Sequence, residues 1–185
     1  LALGELCHRA QLYDLENEPM NACETASGMT GDLRLGRRDG LFTLETRLLL
    51  PRPLEIVFPF FADAGNLEIL TPPWLRFEIV SPRPIAMRAG ALIEYRLRLH
   101  GVPLRWQSEI TAWQPPHRFV DEQRRGPYRA WIHEHTFTES KGGCEVHDFV
   151  RYAVLGGWVA ERLFVGHNVR RIFEYRARKL QEIFT

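Results

Sequence analysis

From residue 41 onward the chain is written in two periods. Phe42, Leu44, Thr46 and Leu48 alternate with Thr43, Glu45, Arg47 and Leu49, the period-two signature of a half-buried strand. Pro51 and Pro53 end it, and Pro53 is suited to the first turn of a helix over LEIVFPFFAD. Pro59 inside that helix removes a backbone bond and predicts a kink or split. Two short helices are therefore expected, the second around residues 66–70 and stopped by Thr71-Pro72-Pro73. Residues 75–81 are a candidate second strand. Ala91, Ile93, Tyr95, Leu97 and Leu99 then share one face and Glu94, Arg96, Arg98 and His100 the other, a strand wet on one side only. Gly101-Val102 suits a two-residue hairpin loop. That loop would oppose Leu97 to Trp106, Tyr95 to Ser108 and Ile93 to Ile110.

Pro115-Pro116 turns the chain into a strand that sends Phe119, Asp121 and Gln123 inward. A further turn at Arg125-Gly126-Pro127 leads into GPYRAWIHEHTF, residues 126–137. As a strand this run puts Arg129, Trp131, His133, His135 and Phe137 on one side and Ala130, Ile132, Glu134 and Thr136 on the other. A hairpin centred on residues 140–143 opposes Phe137 to Val146, His135 to Asp148, His133 to Val150 and Trp131 to Tyr152. After Gly156-Gly157 the period changes: Val159, Leu163, Gly166, Val169, Phe173, Ala177, Leu180 and Phe184 recur every three or four residues, an amphipathic helix able to cover one sheet face. Early strand, two short helices, a run of antiparallel strands and a long closing helix predict an α+β domain in which a curved sheet wraps a helix.

Residues 1–40 differ. Leu3, Leu6, Cys7, Ala10 and Tyr13 have helical spacing, but Pro19, Gly28, Gly31, Gly36 and Gly40 break any longer element. A short helix and a loose arm are expected over 1–40, with the folded domain at 41–185. The 185 residues are 45% hydrophobic, enough for one real core. With 24 basic against 23 acidic residues, no global field favours nucleic acid or an anionic membrane. Three cysteines without paired or ligand spacing argue against a disulfide framework, and the expected setting is cytoplasmic. No apolar stretch approaches the roughly 20 residues of a membrane span. Lysine occurs only at Lys141 and Lys179, which hints at a GC-rich bacterial genome.

The chemistry lies on the inward face. It gathers Asp121, Gln123, His133, His135 and Asp148 beside Tyr95, Trp106, Trp131 and Tyr152, with Ser108 among them. Aromatic walls with a few converging polar groups suit a small-molecule pocket. His135 opposite Asp148 is an imidazole held in one tautomer by a carboxylate, fit for a general base or an oriented donor, and equally for a structural hydrogen bond. Asp121 is placed to serve His133 in the same way, with His133 across from Phe119 in this register. Arg129 is turned inward at the pocket mouth, where it could meet a ligand carboxylate. Arg170, Arg171, Arg176 and Arg178 of the closing helix read as a solvated face.

The order of elements, together with NLEILTPPWL (66–75), FVDEQRRGPYRAWIHEHTF (119–137), the segment from Asp148 to Tyr152 and FEYRARKL (173–180), resembles the helix-grip superfamily. That superfamily, abbreviated SRPBCC, includes START lipid-transfer domains, birch-pollen-allergen-like proteins and polyketide cyclases and dehydrases. The likeness covers residues 41–185, and the run from Gly126 to Phe137 is its most specific part. It implies a deep cavity between sheet and long helix that binds a small hydrophobic or amphipathic molecule, for carriage, sequestration or sensing. The alternative it carries is a cyclase or dehydratase using His135 and Asp148 as acid and base. Two histidines on one strand face and an acidic residue across the sheet could supply three zinc ligands. The resemblance accounts for each without a metal, and no cysteine lies near. No G-x-S-x-G elbow and no phosphate-binding glycine loop is present. Neither metal nor cofactor is expected, and oligomeric state is left open.

Overall fold

A computed structural model describes residues 32–185. The helix expected between Leu3 and Tyr13 lies outside the described residues. Eight antiparallel strands form one sheet in the order β1-β2-β8-β7-β6-β5-β4-β3. The strands are β1 (Asp32–Arg38), β2 (Leu41–Leu50), β3 (Glu78–Ile79), β4 (Leu92–Leu99), β5 (Val102–Gln114), β6 (Arg118–Arg125), β7 (Ala130–Ser140) and β8 (Gly143–Ala153). Helices α1 (Leu54–Ala62) and α2 (Leu67–Leu70) follow β2. Helix α3 (Gly157–Ala160), one π-turn (Glu161–Val165) and the long α4 (Gly166–Phe184) close the chain.

β1 is a correction to the sequence reading, which places residues 32–40 in the loose arm. Asp39 and Gly40 take φ of 52° and 80°, a turn that folds DLRLGRR back onto β2 with Asp32 opposite Arg47 and Arg38 opposite Leu41. Of this edge strand only Leu33 packs against the core, so the alternation that marks the other strands is nearly absent. Helix α1 also departs from expectation, because it runs unbroken through Pro59. Pro59 is exposed, while Leu54, Val57, Phe58 and Phe61 on both sides of it are buried. Burying four such side chains at about 1.5–3 kcal/mol each outweighs the roughly 3 kcal/mol a helix-interior proline costs.

The β7–β8 hairpin has the expected register, with Trp131 opposite Tyr152, His133 opposite Val150, His135 opposite Asp148 and Phe137 opposite Val146. The β4–β5 hairpin does not. Its turn uses His100 (φ 50°) and Gly101 (φ 84°), one residue earlier than Gly101-Val102. The pairs become Leu97 with Leu104, Tyr95 with Trp106 and Ile93 with Ser108. A two-residue slide keeps every side chain on its face, so the inner lining survives the wrong register. On β6 and β7 the same size of correction pairs Phe119 with His135 and Asp121 with His133. A bulge in β5 between Ile110 and Ala112 then reverses its phase. Ser108 and Ile110 are buried, but Trp113 rather than Ala112 packs against the core.

Two apolar clusters hold α4 to the sheet. Leu180 and Phe184 join Leu48, Leu50, Phe58, Phe61, Phe137 and Val146, whereas Val169 and Phe173 join Leu44, Val150 and Tyr152. The apolar stripe of the closing segment is buried only within α4. Val159 and Leu163, expected on the same stripe, are 47% and 62% exposed, because the π-turn between α3 and α4 rotates them off it.

Candidate functional site

Between the sheet, α2 and α4 lies a cavity of about 190 Å³. Most of its wall is apolar, contributed by Phe61, Leu70, Phe77, Ile93, Leu97 and Phe173 among others. Its charged groups and imidazoles gather in one connected cluster, where strand alternation on β5, β6 and β7 turns Ser108, Asp121, His133 and His135 inward and α4 supplies Arg176.

Each polar side chain there is held by another. Tyr95 Oη is 2.8 Å from Ser108 Oγ, and Trp106 Nε1 donates to the same oxygen at 3.1 Å. Ser108 in turn donates to Asp121 Oδ1 at 3.4 Å. Asp121 Oδ2 lies 3.2 Å from His135 Nε2 and 3.6 Å from His133 Nδ1. The opposite nitrogens, His133 Nε2 and His135 Nδ1, both face Asp148 Oδ1, at 3.3 and 2.6 Å. The His135 contact is a close ion-pair distance rather than a well-aligned hydrogen bond. Asp148 Oδ2 is 3.7 Å from Arg176 Nε, whose guanidinium sits over the Phe61 ring at 5.5 Å. The two imidazoles are 3.8 Å apart, and Phe119 stacks on His135 at 4.2 Å.

Burial and charge work against each other in this cluster. Burial alone would lift both carboxyls, but hydrogen bonds and charge from His135 and His133 hold Asp121 below its ordinary value. Arg176 and both histidines hold Asp148 well below its own. Burial and the neighbouring His135 push His133 down. Burial opposes a proton on His135 too, yet Asp148 and Asp121 outweigh it and raise that imidazole. Burial beside Asp121 pushes the Tyr95 phenol well up, so it keeps its proton.

Tyr95, Trp106, Ser108, Asp121, Trp131, His133 and His135 line the cavity. Asp148 sits one layer behind the imidazoles and is 3% exposed. Besides Asp148, three residues expected to line it do not. Gln123 folds back over the β6–β7 turn, donating to Tyr128 O at 2.7 Å and accepting from Tyr128 N, and its side chain leaves no room for a Cβ on Gly126. Arg129 is exposed, because residues 126–129 form the turn and strand alternation starts only at Ala130. Tyr152 is fully buried behind Trp131 and Tyr128, with its hydroxyl donating to Glu161. The same turn brings Tyr128 into the wall, a residue that period-two reasoning places on the other face. Arg176, expected on a solvated face, has a side chain only 11% exposed. Its position three after Phe173 and four before Leu180, on the buried stripe, was the available signal.

An open antiparallel sheet curled about a long carboxy-terminal helix, with an apolar cavity between them, defines the helix-grip class. Within it, the polyketide cyclase / dehydrase and lipid transport family model matches residues 50–179, and the chain belongs to that family. Among solved structures the fold is similar to protein Ms6760 of Mycobacterium smegmatis, at TM-score 0.62 and 21% identity, covering 83% of this chain and 96% of that one. TTHA0849 of Thermus thermophilus is similar at TM-score 0.55 and 21% identity, covering 76% and 94%. Ginseng major latex-like protein 151 of Panax ginseng is similar at TM-score 0.57 and 11% identity, covering 77% and 97%. No curated protein sequence matches the chain. Among the described residues no helix is long and apolar enough to cross a membrane.

Proposed function

We propose that the protein binds a small amphipathic molecule in this cavity, as a carrier, a sequestering protein or a sensor. The observation that carries the reading is the segregation of the wall: mostly apolar, with Ser108, Asp121, His133, His135 and Arg176 joined in one polar cluster. An apolar body would gain from desolvation along Leu70, Ile93, Leu97 and Phe173. A polar head would be oriented by the imidazoles and the guanidinium. The family's description as lipid transport is in keeping with such a ligand.

A second reading, a cyclase or dehydratase, is favoured by one feature: both imidazoles border the cavity and are backed by Asp148. His135 would move a proton at a carbon beside a carbonyl or at a departing hydroxyl, and Asp148 would hold the imidazole in place. The test is native mass spectrometry of the protein purified from its host, followed by rebinding of whatever is retained to wild type and to His135→Gln. A binder is expected to retain an apolar or amphipathic molecule that rebinds to both proteins unchanged in mass. Conversion of that molecule by wild type and not by His135→Gln replaces the binder with the enzyme. A cavity that retains nothing and takes up no fatty acid or apolar dye overturns both.

A further inference from the structure

We propose that Asp121, His133 and His135 bind a divalent transition-metal ion in the polar cluster of the cavity, with Asp148 positioning both imidazoles. One donor atom from each of the three residues lies within 4.8 Å of the other two. The proposal reverses the expectation of no metal drawn from the sequence, and it stands independently of the amphipathic-ligand reading.

The hydrogen inventory of the cluster carries it. A carboxylate only accepts, and His133 Nε2 and His135 Nδ1 converge on one oxygen of Asp148. The aligned hydrogen bonds of the neutral rings run from His133 Nε2 to Asp148 and from His135 Nε2 to Asp121. His133 Nδ1 then presents a lone pair to Asp121 Oδ2 at 3.6 Å, and His135 Nδ1 presents one to Asp148 Oδ1 at 2.6 Å, with no aligned partner. The Ser108 hydroxyl relieves neither contact, because it lies against the other Asp121 oxygen. Buried acceptors facing one another are costly. One added proton on His135 repairs the His135–Asp148 contact and leaves His133 Nδ1 facing a carboxylate oxygen. A metal ion among the three inner atoms, with the His135 hydrogen on Nδ1 toward Asp148, satisfies both at once.

Distance and charge agree with this. Ligand bonds of about 2.0–2.1 Å in tetrahedral array set donor atoms roughly 3.3–3.4 Å apart, between the two carboxylate–imidazole separations of 3.2 and 3.6 Å, and the two imidazole nitrogens lie within 4.8 Å of each other. The described charges at the site are Asp121 and Asp148 against Arg176, one net negative when both imidazoles are neutral. A divalent ion turns that into one net positive, which an anionic or hydroxide ligand entering from the cavity would balance. Two imidazoles and a carboxylate suit zinc, iron, cobalt or nickel rather than the oxygen-preferring calcium or magnesium. Asp148, shared by the outer nitrogens, has the place of the carboxylate that orients ligating histidines.

The experiment uses the full chain, stripped with a chelator and dialysed, and titrates it with zinc chloride by calorimetry and with cobalt(II) by visible absorption. Wild type is expected to take up one equivalent of each, with cobalt absorbing as a low-symmetry site rather than as the aqueous ion. Asp121→Asn and His133→Gln should each weaken zinc by a hundredfold or more, and Asp148→Asn by about 10–100-fold as a positioning residue. Near-ultraviolet circular dichroism establishes that each variant is folded, and His135→Gln substitutes for any that is not. Failure of folded wild type to bind an equivalent of either ion overturns the proposal. So does unchanged binding in folded His133→Gln and Asp121→Asn, which would put the ion elsewhere, for example at Glu45 and His147. Uptake of an apolar dye, read in the same samples, distinguishes failure of this inference from failure of the ligand-binding one.

Discussion

His147 and Asp148 are neighbours on β8 and point to opposite faces of the same sheet. Each belongs to an imidazole–carboxylate network. Outside, His147 Nε2 lies 2.9 Å from Glu45 Oε1, and Arg47 bonds the same oxygen at 2.9 Å. Inside, Asp148 meets His133, His135 and Arg176. The separations are alike and the groups are of the same kinds. What differs is water: side chains of the outer network are 25–54% exposed, whereas the side chains of Asp148 and His135 are 5% and 3% exposed. Outside, solvent stands ready to replace any partner that is lost. Inside, Asp148 lies behind the imidazoles away from solvent, so its partners depend on its being present. Adjacent residues can thus make similar contacts of very different worth.

The largest expected effect comes from deleting the hub of the inner network. Asp148→Ala leaves His133, His135 and Arg176 without their shared acceptor, with Arg176 Nε already short of a hydrogen-bond partner among the described residues. Breaking a buried charged network by removing one member costs about 3–5 kcal/mol, read as a fall in the urea midpoint at constant m-value. A loss below about 1 kcal/mol would mean that water reaches the cluster and the contrast between faces is false. Ser108→Ala comes next. It removes only the hydroxyl, but that strips Tyr95 and Trp106 of their common partner and Asp121 of a donor. Each buried group left unpaired costs about 1–3 kcal/mol, and part is recovered because the cavity beside them can admit water. The total should fall below that of Asp148→Ala.

The inner face was largely legible in the sequence because a strand's period of two assigns faces even where the register is wrong. Sliding the β4–β5 hairpin by two residues changes every partner of Tyr95 and Ser108 yet leaves both inward. What was not legible lies where periodicity stops. The turn at residues 126–129 exchanges Arg129 for Tyr128 at the cavity. The π-turn moves Val159 and Leu163 into solvent, and the edge strand β1 carries too few apolar residues to announce itself. Arg176 escapes the pattern for another reason. Composition treats arginine as surface, but a guanidinium stacked on Phe61 and facing Asp148 fills a core position on its helix.

The smallest expected effect is the most informative control. Glu45→Gln removes the charge at the centre of the outer network while keeping its size and its ability to accept from Arg47 and His147. Exposed pairs of this kind contribute about 0.2–1 kcal/mol, so near neutral pH the variant should unfold within about 1 kcal/mol of wild type. The Arg47 hydrogen bond, opposed by partial burial and aided by His147, holds the Glu45 carboxyl below its ordinary value. A carboxyl depressed on folding stabilises above its unfolded pKa of about 4.3. That contribution fades as pH falls through the lower folded value. Wild type and variant should therefore converge in urea titrations at about pH 3 and separate above about pH 5. Salt near 1 M should shrink the separation, since the Debye length there is about 3 Å and water reaches the pair, while leaving the cost of Asp148→Ala almost unchanged. If Glu45→Gln instead proves as damaging as Asp148→Ala, or as indifferent to salt, then His147 is as enclosed as its neighbour, and solvent is not what separates the two faces of β8.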